Sequence, residues 1–239
     1  MREWHPSRRT QDAVQLRASQ LADQLPAFLS RFDTATEQDR TFGGPSLYFH
    51  YKCVAGFRHL PVAEKVADVT FLEYLYATLA SWGMHRMGRT ATKLRNFSHF
   101  VAEISAGSAS LSELESFKLW SINEPEQATV LAVLESVVES MHLSRSEAQL
   151  VANSKVVHHI LPDLMPPIDR SYTLAFFGLD NTLPSTYSGK SILRVIFPHF
   201  AQVARMQTEA ILSRVDLRTE NWHTSPTKVI DNAIIGALS

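Results

Sequence analysis

Apolar residues recur every three or four positions along almost the whole chain, which is the period of an amphipathic α-helix. In the first such stretch Pro26 predicts a kink or a restart of the helix, and the apolar face comprises Val14, Leu21, Leu25, Phe28, Leu29 and Phe32. The polar stretch from Asp33 to Pro45 predicts a loop, and the aromatic stretch Ser46–Val54 fits either a short strand or the start of a helix. Strand signals are otherwise almost absent, so the pattern predicts an all-α fold.

Start and stop signals divide this pattern into helices. A hydroxyl residue followed three positions later by Glu predicts a capping box, and this spacing occurs at Thr70–Glu73, Ser110–Glu113 and Ser144–Glu147. The helix after the first box ends at Gly83, and Pro125 lies in the first turn of a long helix. Further along, two helices fill Lys190–Val215 with a break at Pro198, and a last helix spans Thr227–Leu238.

The segment Leu143–Phe177 is predicted to contain three short helices in a fixed arrangement. The first ends near Ala152, Asn153-Ser154 form a tight turn, and the second helix spans Lys155–Leu161. Pro166 and Pro167 then hold the backbone extended, because each proline excludes helical geometry at the residue before it. Asp169 is the expected N-cap of a helix Arg170–Phe177 that ends at Gly178.

Length and composition bound the class of protein. The chain has 239 residues, of which 45% are hydrophobic, and this is enough to build a core and to exclude wholesale disorder. Cys53 is the only cysteine, which excludes intramolecular disulfides and all-cysteine metal sites. The first twenty residues have no apolar core of a signal peptide, and no apolar run is long enough to span a membrane. We therefore expect a cytoplasmic protein without a membrane partner.

The organisation into domains leaves two alternatives. No Gly/Ser linker interrupts the chain, so residues 1–239 are predicted to form a single helical domain. The same helices also fit two lobes with a cleft between them, one formed by about residues 70–150 and the other by residues 1–69 plus 151–239.

The formal net charge of −1 hides a segregation of charge along the chain. Two stretches carry basic residues without an acid, His85–Arg95 with Arg86, Arg89, Lys93 and Arg95, and Asn181–Thr208 with Lys190, Arg194 and Arg205. Glu113–Glu147 is the reverse, with seven acids against Lys118 and Arg145. The pattern fits one anion-facing side of the molecule, and it equally fits ordinary solvated helix faces.

The order helix, turn, helix, proline segment and aspartate resembles the helix-hairpin-helix DNA glycosylase superfamily. Lys155 matches the lysine that bifunctional members carry after the hairpin, and Asp169 matches the aspartate at the start of the next helix. The helix Leu72–Trp82, followed by Gly83-Met84-His85-Arg86, is similar to the family's early helix, whose following turn reaches into the DNA. The resemblance covers roughly Thr70 to Phe177 and implies a two-lobed helical fold with a central cleft.

Two departures from the family pattern lie in this segment. The family hairpin usually reads Leu-Pro-Gly-Val-Gly, whereas Val151-Ala152-Asn153-Ser154 contains no glycine. The separation of 14 residues between Lys155 and Asp169 is also shorter than is usual in the family. A divergent bacterial branch of the superfamily is the expectation.

The resemblance implies a DNA glycosylase that flips a damaged or modified base and cleaves its N-glycosidic bond, as in base-excision DNA repair. Such cleavage passes through a sugar cation, which the Asp169 carboxylate would stabilise while it orients the attacking water. Lys155 would instead attack the sugar carbon and form a Schiff base in a bifunctional enzyme. The plainer alternatives are a helix cap for Asp169 and a phosphate contact or a solvated position for Lys155, so a monofunctional enzyme is favoured.

A flipped base needs an aromatic pocket outside the duplex. The candidates beside loops or within the motif are Tyr48, Trp82 and Tyr172, with His50, His158 and Lys52 as polar candidates. The residues expected to contact the DNA are Lys52, Arg86, Arg89, Lys93, Arg95, Asn153, Ser154 and Arg170.

Metal and cofactor binding are not expected from the sequence. His158 and His159 are adjacent, and adjacent residues on a helix point about 100° apart, so the two are not expected to share an ion. We therefore expect no metal and no cofactor, a monomer, and double-stranded DNA as the partner.

Two rival functions stay open. One is a non-catalytic DNA-binding protein that reuses the helix-hairpin-helix fold, and the other is a helical interaction protein that contacts no nucleic acid. A role in antiviral defence against modified phage DNA is compatible with a bacterial glycosylase, and gene neighbourhood would test it.

Overall fold

The computed structural model describes residues 4–38, 43–85, 93–145, 149–180 and 189–239. Within these ranges the regular structure is helical, with one isolated bridge between Leu94 and Ser144, so the all-α prediction is confirmed. The α-helices are α1 Arg8–Gln38, α2 Pro45–Phe57, α3 Val62–Ala67, α4 Val69–Leu79, α5 Phe97–Ala106, α6 Ser108–Glu113, α7 Glu124–Ser140, α8 Gln149–Ile160, α9 Gly189–Met206, α10 Thr208–Arg214 and α11 Pro226–Leu238. Wider helical turns span Ala80–Met84 and Arg170–Leu174. Among the described residues no helix is both long and apolar enough to cross a membrane.

The central helix of the fold is α11. Every residue from Pro226 to Gly236 is buried, and α1 packs along it. A Cβ atom built on Gly236 would lie 2.0 Å from the carbonyl oxygen of Phe28. Glycine is therefore needed at position 236, because a side chain would force the two helix backbones apart.

Two prolines lie inside helices that the sequence analysis divided. Pro26 lies within α1 and Pro198 within α9, so the predicted break at Pro198 is wrong. Each helix keeps one buried apolar face on both sides of its proline, and this packing outweighs the lost hydrogen bond. The helix α1 also continues to Gln38, past the predicted start of a loop at Asp33. The undecided stretch Ser46–Val54 lies in α2 and is helical.

Helix starts differ from the predicted capping boxes. Asp68, not Thr70, caps α4 by accepting a hydrogen bond from Phe71 N. Ser110 and Glu113 lie within α6, which follows Gly107 without a side-chain cap. A capping box does form at α7, between Asn123 and Glu126, and Pro125 lies in the first turn as predicted. Glu147 of the third predicted box lies outside the described residues.

The predicted hairpin turn at Asn153-Ser154 is wrong, because α8 runs unbroken through both residues. The Asn153 amide donates to the carbonyl oxygens of Val138 and Met141, at 2.8 and 2.7 Å. The Ser154 hydroxyl accepts a hydrogen bond from Ile168 N at 3.1 Å. These side chains are typical of turns in sequence, but here they join α8 to the end of α7 and to the proline segment.

The packing of α9 on α7 pairs basic residues of one charged stretch with acids of another. Arg194 contacts Glu135 through two hydrogen bonds of 2.9 and 2.7 Å, and Lys190 lies 3.2 Å from Glu139. Arg205 donates to the carbonyl oxygen of Ile122 at 3.0 Å. Lys190 and Arg194 therefore pair with acids of α7, whereas Arg205 contacts a backbone carbonyl.

Candidate active-site cleft

A cleft of about 360 Å³ opens between α1, α2, the turn Ala80–Met84, α8, the turn Arg170–Leu174 and α11. Its lining joins aromatic rings, two lysines and two aspartates, and it comprises Phe32, Ser46, Ser81, Trp82, Gly83, His85, Lys155, Pro167, Asp169, Tyr172, Trp222, Lys228, Asp231 and Ile235. Four residues that the sequence analysis assigned to catalysis or to a base pocket meet here, namely Lys155, Asp169, Trp82 and Tyr172.

The turn Ala80–Met84 carries Trp82 into the cleft. Gly83 has φ of +84°, a left-handed conformation that glycine adopts without strain. The indole N–H of Trp82 donates to the carbonyl oxygen of Ser46 at 3.2 Å. The turn and this hydrogen bond fix the ring against the start of α2.

The first ion pair of the cleft joins Lys155 on α8 to Asp169. The Lys155 ammonium donates to Asp169 Oδ2 at 2.8 Å, and Asp169 Oδ1 accepts from Ser171 N at 2.8 Å. Asp169 is therefore a helix cap, as predicted, and a cleft residue at the same time. Its side chain is 29% exposed, against 5% for Lys155, so the carboxylate is the more accessible partner.

The environment of Asp169 favours the ionised carboxylate. Burial by itself raises the pKa of Asp169, but the Lys155 ammonium and the backbone N–H groups of Ser171 and Tyr172 together hold the pKa below its usual value. The group is thus a carboxylate at neutral pH.

A second ion pair, which the sequence analysis missed, lies on α11. The Lys228 ammonium donates to Asp231 Oδ2 and to Asn232 Oδ1, both at 2.6 Å, and it lies 5.0 Å from the centre of the Trp222 ring. Burial lowers the pKa of Lys228 and raises that of Asp231. The available signal was the spacing of three polar residues at i, i+3 and i+4 in an otherwise apolar helix.

Two predicted pocket residues, His50 and His158, do not line the cleft. Both are fully buried, together with His159, and the His50 ring lies 5.2 Å from Trp82 and 5.5 Å from Trp222, centre to centre. Burial lowers the pKa of all three imidazoles, that of His159 to about 4. They form a group of neutral histidines beneath the indole rings, which we call the histidine cluster.

The remaining predicted pocket and DNA-contact residues lie elsewhere. Tyr48 is 40% exposed, and the Lys52 ammonium lies 5.6 Å from its ring centre, but neither lines the cleft. Lys93 and Arg170 are exposed and Arg95 is half-buried.

Asn153 and Ser154 are fully buried, so the expected DNA contacts of these two residues are not available in this structure. Arg86 and Arg89 lie outside the described residues.

No protein-family model matches the chain, and neither a curated protein nor a solved structure gives a significant match.

Proposed function

We propose that the protein hydrolyses an N-glycosidic bond, acting on a damaged or modified base flipped out of DNA, with Asp169 as the catalytic carboxylate. The observation that carries the proposal is the Lys155–Asp169 ion pair in a cleft lined by Trp82, Tyr172 and Trp222. The proposal depends on the chemistry of this cleft and not on a hairpin.

The cleft has the size and the surfaces that a nucleobase requires. Ligand pockets commonly occupy about 300–1,000 Å³ and combine apolar walls with a few polar groups, and this cleft is at the small end of that range. Aromatic side chains stack with bases at a gain of about 1–3 kcal/mol per base. Trp82 and Trp222 line the cleft next to the two ion pairs.

The accessible carboxylate of Asp169 has the properties needed to stabilise a sugar cation. It is ionised, it is oriented by Ser171 N, and it is partly shielded from water, which strengthens its electrostatic effect. A water molecule would attack the sugar carbon as the bond to the base breaks, and the base leaves with the bonding electrons. The water loses one proton and the base takes one up, so that the net reaction is hydrolysis. Lys155 would position Asp169 through the 2.8 Å hydrogen bond.

The test is incubation of the full chain with DNA duplexes that each carry a different modified base, followed by alkali to reveal abasic sites. Asp169→Asn should slow the cleavage that the wild-type protein shows by about 10²–10³-fold, because asparagine retains the cap but lacks the charge. Asp68→Asn is the matched control, since Asp68 also caps a helix but does not line the cleft. Full activity of Asp169→Asn would overturn the catalytic assignment.

Two further measurements separate the alternatives. Borohydride reduces a Schiff base between Lys155 and the sugar to a stable amine, so a trapped adduct that Lys155→Ala loses would show the bifunctional route. We expect no adduct. DNA binding with a steep salt dependence but without abasic sites on any substrate would replace the proposal with the non-catalytic DNA-binding alternative.

A further inference from the structure

The histidine cluster brings together nitrogen atoms that lie far apart in the sequence. His50 is on α2, whereas His158 and His159 are on α8. One ring nitrogen of each histidine lies within 4.8 Å of the corresponding nitrogens of the other two. Although His158 and His159 are adjacent on α8, their rings are close together. The ring planes are nearly perpendicular, at 82°, and the ring centres lie 5.0 Å apart.

The hydrogen bonds of the cluster determine which nitrogens carry lone pairs. His158 Nδ1 lies 2.9 Å from the carbonyl oxygen of Met165, and His159 Nδ1 lies 2.6 Å from that of Lys155. A carbonyl only accepts, so both Nδ1 atoms donate. A neutral imidazole has one donor and one acceptor, and Nε2 of His158 and of His159 therefore carry lone pairs.

His50 is able to supply the third lone pair. Its Nε2 lies 2.7 Å from the Thr224 hydroxyl, which can donate or accept. When Nε2 donates to Thr224, Nδ1 of His50 carries a lone pair directed at His159 Nε2, 2.9 Å away. In the absence of an ion, the other tautomer lets His50 Nδ1 donate to His159.

One of these nitrogens is without a hydrogen-bond partner in the part of the chain that the structure describes. It is Nε2 of His158, which is buried. An unsatisfied buried polar atom costs about 1–3 kcal/mol. A bound cation would satisfy this lone pair together with those of the other two histidines.

We propose that His50, His158 and His159 bind one divalent transition-metal ion of the zinc type. Metal-bound histidines usually donate their second ring N–H to a carbonyl or another polar group, which fixes the ring, and Met165, Lys155 and Thr224 supply these acceptors. Three neutral imidazoles suit zinc and its neighbours rather than magnesium or calcium. At a zinc–nitrogen distance of about 2.1 Å, tetrahedral ligands lie about 3.4 Å apart. Binding would therefore open the 2.9 Å separation between His50 and His159 and bring together any of the other nitrogens that lie further apart than this, up to the 4.8 Å limit of the cluster.

Three protein ligands leave one coordination position for water or another small ligand, as in catalytic zinc sites. Zinc binding at the histidine cluster does not require glycosylase activity, and it is measured without DNA. The full chain is freed of metal with a chelator and titrated with Zn²⁺ alone by calorimetry. One equivalent is expected to bind. Failure of the folded wild-type protein to bind would overturn the proposal.

The variants test whether the ion is in the histidine cluster. His158→Gln should weaken zinc binding by more than about 100-fold, because loss of an outer partner alone costs about 10–100-fold. Thr224→Val, which removes such an outer partner, should fall in that lower range. His59→Gln is the control, since His59 is exposed on the turn after α2. Equal binding by His158→Gln and the wild type would overturn the proposal by showing adventitious surface binding.

A spectroscopic measurement on the wild type keeps the test valid if the variants do not fold. Cobalt(II) replaces zinc and absorbs visible light strongly in four- or five-coordinate nitrogen sites, but weakly as the six-coordinate aqua ion. The proposal predicts the intense spectrum at one equivalent of Co²⁺, and its loss when Zn²⁺ is added. A spectrum identical to that of the aqua ion would overturn it.

Discussion

The two lysine–aspartate pairs of the cleft have the same chemistry but opposite surroundings. Lys155 and Asp169 come from α8 and from the segment after the prolines, and the Asp169 side chain is 29% exposed. Lys228 and Asp231 lie three residues apart on the central helix α11, where their side chains are only 3% and 8% exposed. The pKa of Asp169 is held below its usual value, whereas burial raises that of Asp231.

The difference in exposure indicates that the two pairs have different roles. A buried ion pair adds little net stability, because the free-energy cost of desolvating both charges offsets their Coulomb attraction. Removal of one partner, however, strongly destabilises the fold. The Lys228–Asp231 pair is therefore mainly a structural unit that fixes the Lys228 ammonium against the indole rings. The Lys155–Asp169 pair presents a carboxylate to whatever enters the cleft.

The largest expected effect comes from removing the buried carboxylate. Asp231→Ala should lower the free energy of unfolding by about 3–5 kcal/mol, because it leaves the Lys228 ammonium buried without its partner. Asp169→Ala also leaves a lysine without its partner, but Lys155 lines the open cleft, where water can solvate its ammonium. The loss should therefore be smaller, about 1.5–3 kcal/mol. Urea unfolding at pH 7 measures both values.

Equal losses, or a larger loss for Asp169→Ala, would contradict the different roles of the pairs. The double variant Lys228→Met/Asp231→Leu tests whether the unpaired charge causes the loss. It removes both charges and should recover most of the stability lost in Asp231→Ala.

The second prediction concerns activity. Asp169→Asn should reduce the rate of base excision by about 10²–10³-fold, the usual effect of removing one electrostatic stabiliser of a transition state. Asp231→Asn should change the rate much less wherever the variant is folded, because its carboxylate is hardly exposed. Single-turnover rates with excess protein measure this, and an equal loss in both variants would contradict it.

The third prediction uses pH to reveal the opposite pKa shifts. The folded-state pKa of Asp169 is lowered, so its contribution to stability is complete above the ordinary value of 3.8 and is lost as the pH falls through the lowered pKa. The pKa of Asp231 is raised, so the pH-dependent part of its contribution is complete below 3.8 and is lost as the pH rises through the raised pKa. This part is separate from the cost of leaving Lys228 without its partner.

The measurement is the difference in the free energy of unfolding between wild type and Asp169→Asn, and between wild type and Asp231→Asn, from pH 7 to pH 3. On acidification the wild-type advantage should shrink against Asp169→Asn and grow against Asp231→Asn. Each unit of pKa shift corresponds to about 1.4 kcal/mol. Changes of the same sign would show that the two aspartates have similar surroundings.

The smallest effect is expected at a solvent-exposed pair that serves as a reference. Arg194 and Glu135 join α9 to α7 with the Arg194 side chain 48% exposed. Arg194→Ala should cost about 0.2–1 kcal/mol of stability, because water screens exposed ion pairs, and the loss should shrink at high salt. Thermal unfolding at low and high salt checks this, and a loss above that of Asp169→Ala would contradict the ranking.

Local signals in the sequence predicted much of the fold. The helical spacing of apolar residues and the prolines at the starts of α7 and α11 are signals within a few neighbouring residues. They are therefore readable without knowledge of the packing. Asp169 was found in the same way, because it follows two prolines and caps a helix. This residue is also in the candidate site, so one local feature was informative about both.

Contacts between distant segments explain what the sequence did not reveal. Asn153 and Ser154 are turn residues by type, but their partners Val138 and Ile168 keep them in a helix. The basic residues of α9 meet the acids of α7 only after packing. His50 lies 109 positions before His159 in the sequence, and no spacing rule joins them.

The packing of α11 on α1 also bears on how the molecule folds. A hydrogen bond between His223, just before α11, and Asp33 of α1 joins residues 190 positions apart. Contacts of such long range close slowly, because the chain entropy is lost before the contacts form. A nascent chain therefore lacks one wall of the cleft until α11 has emerged, because Lys228, Asp231 and Ile235 lie on that helix. This wall and the Lys228–Asp231 pair are added only after the segments that carry Trp82, Lys155 and Asp169 have been synthesised.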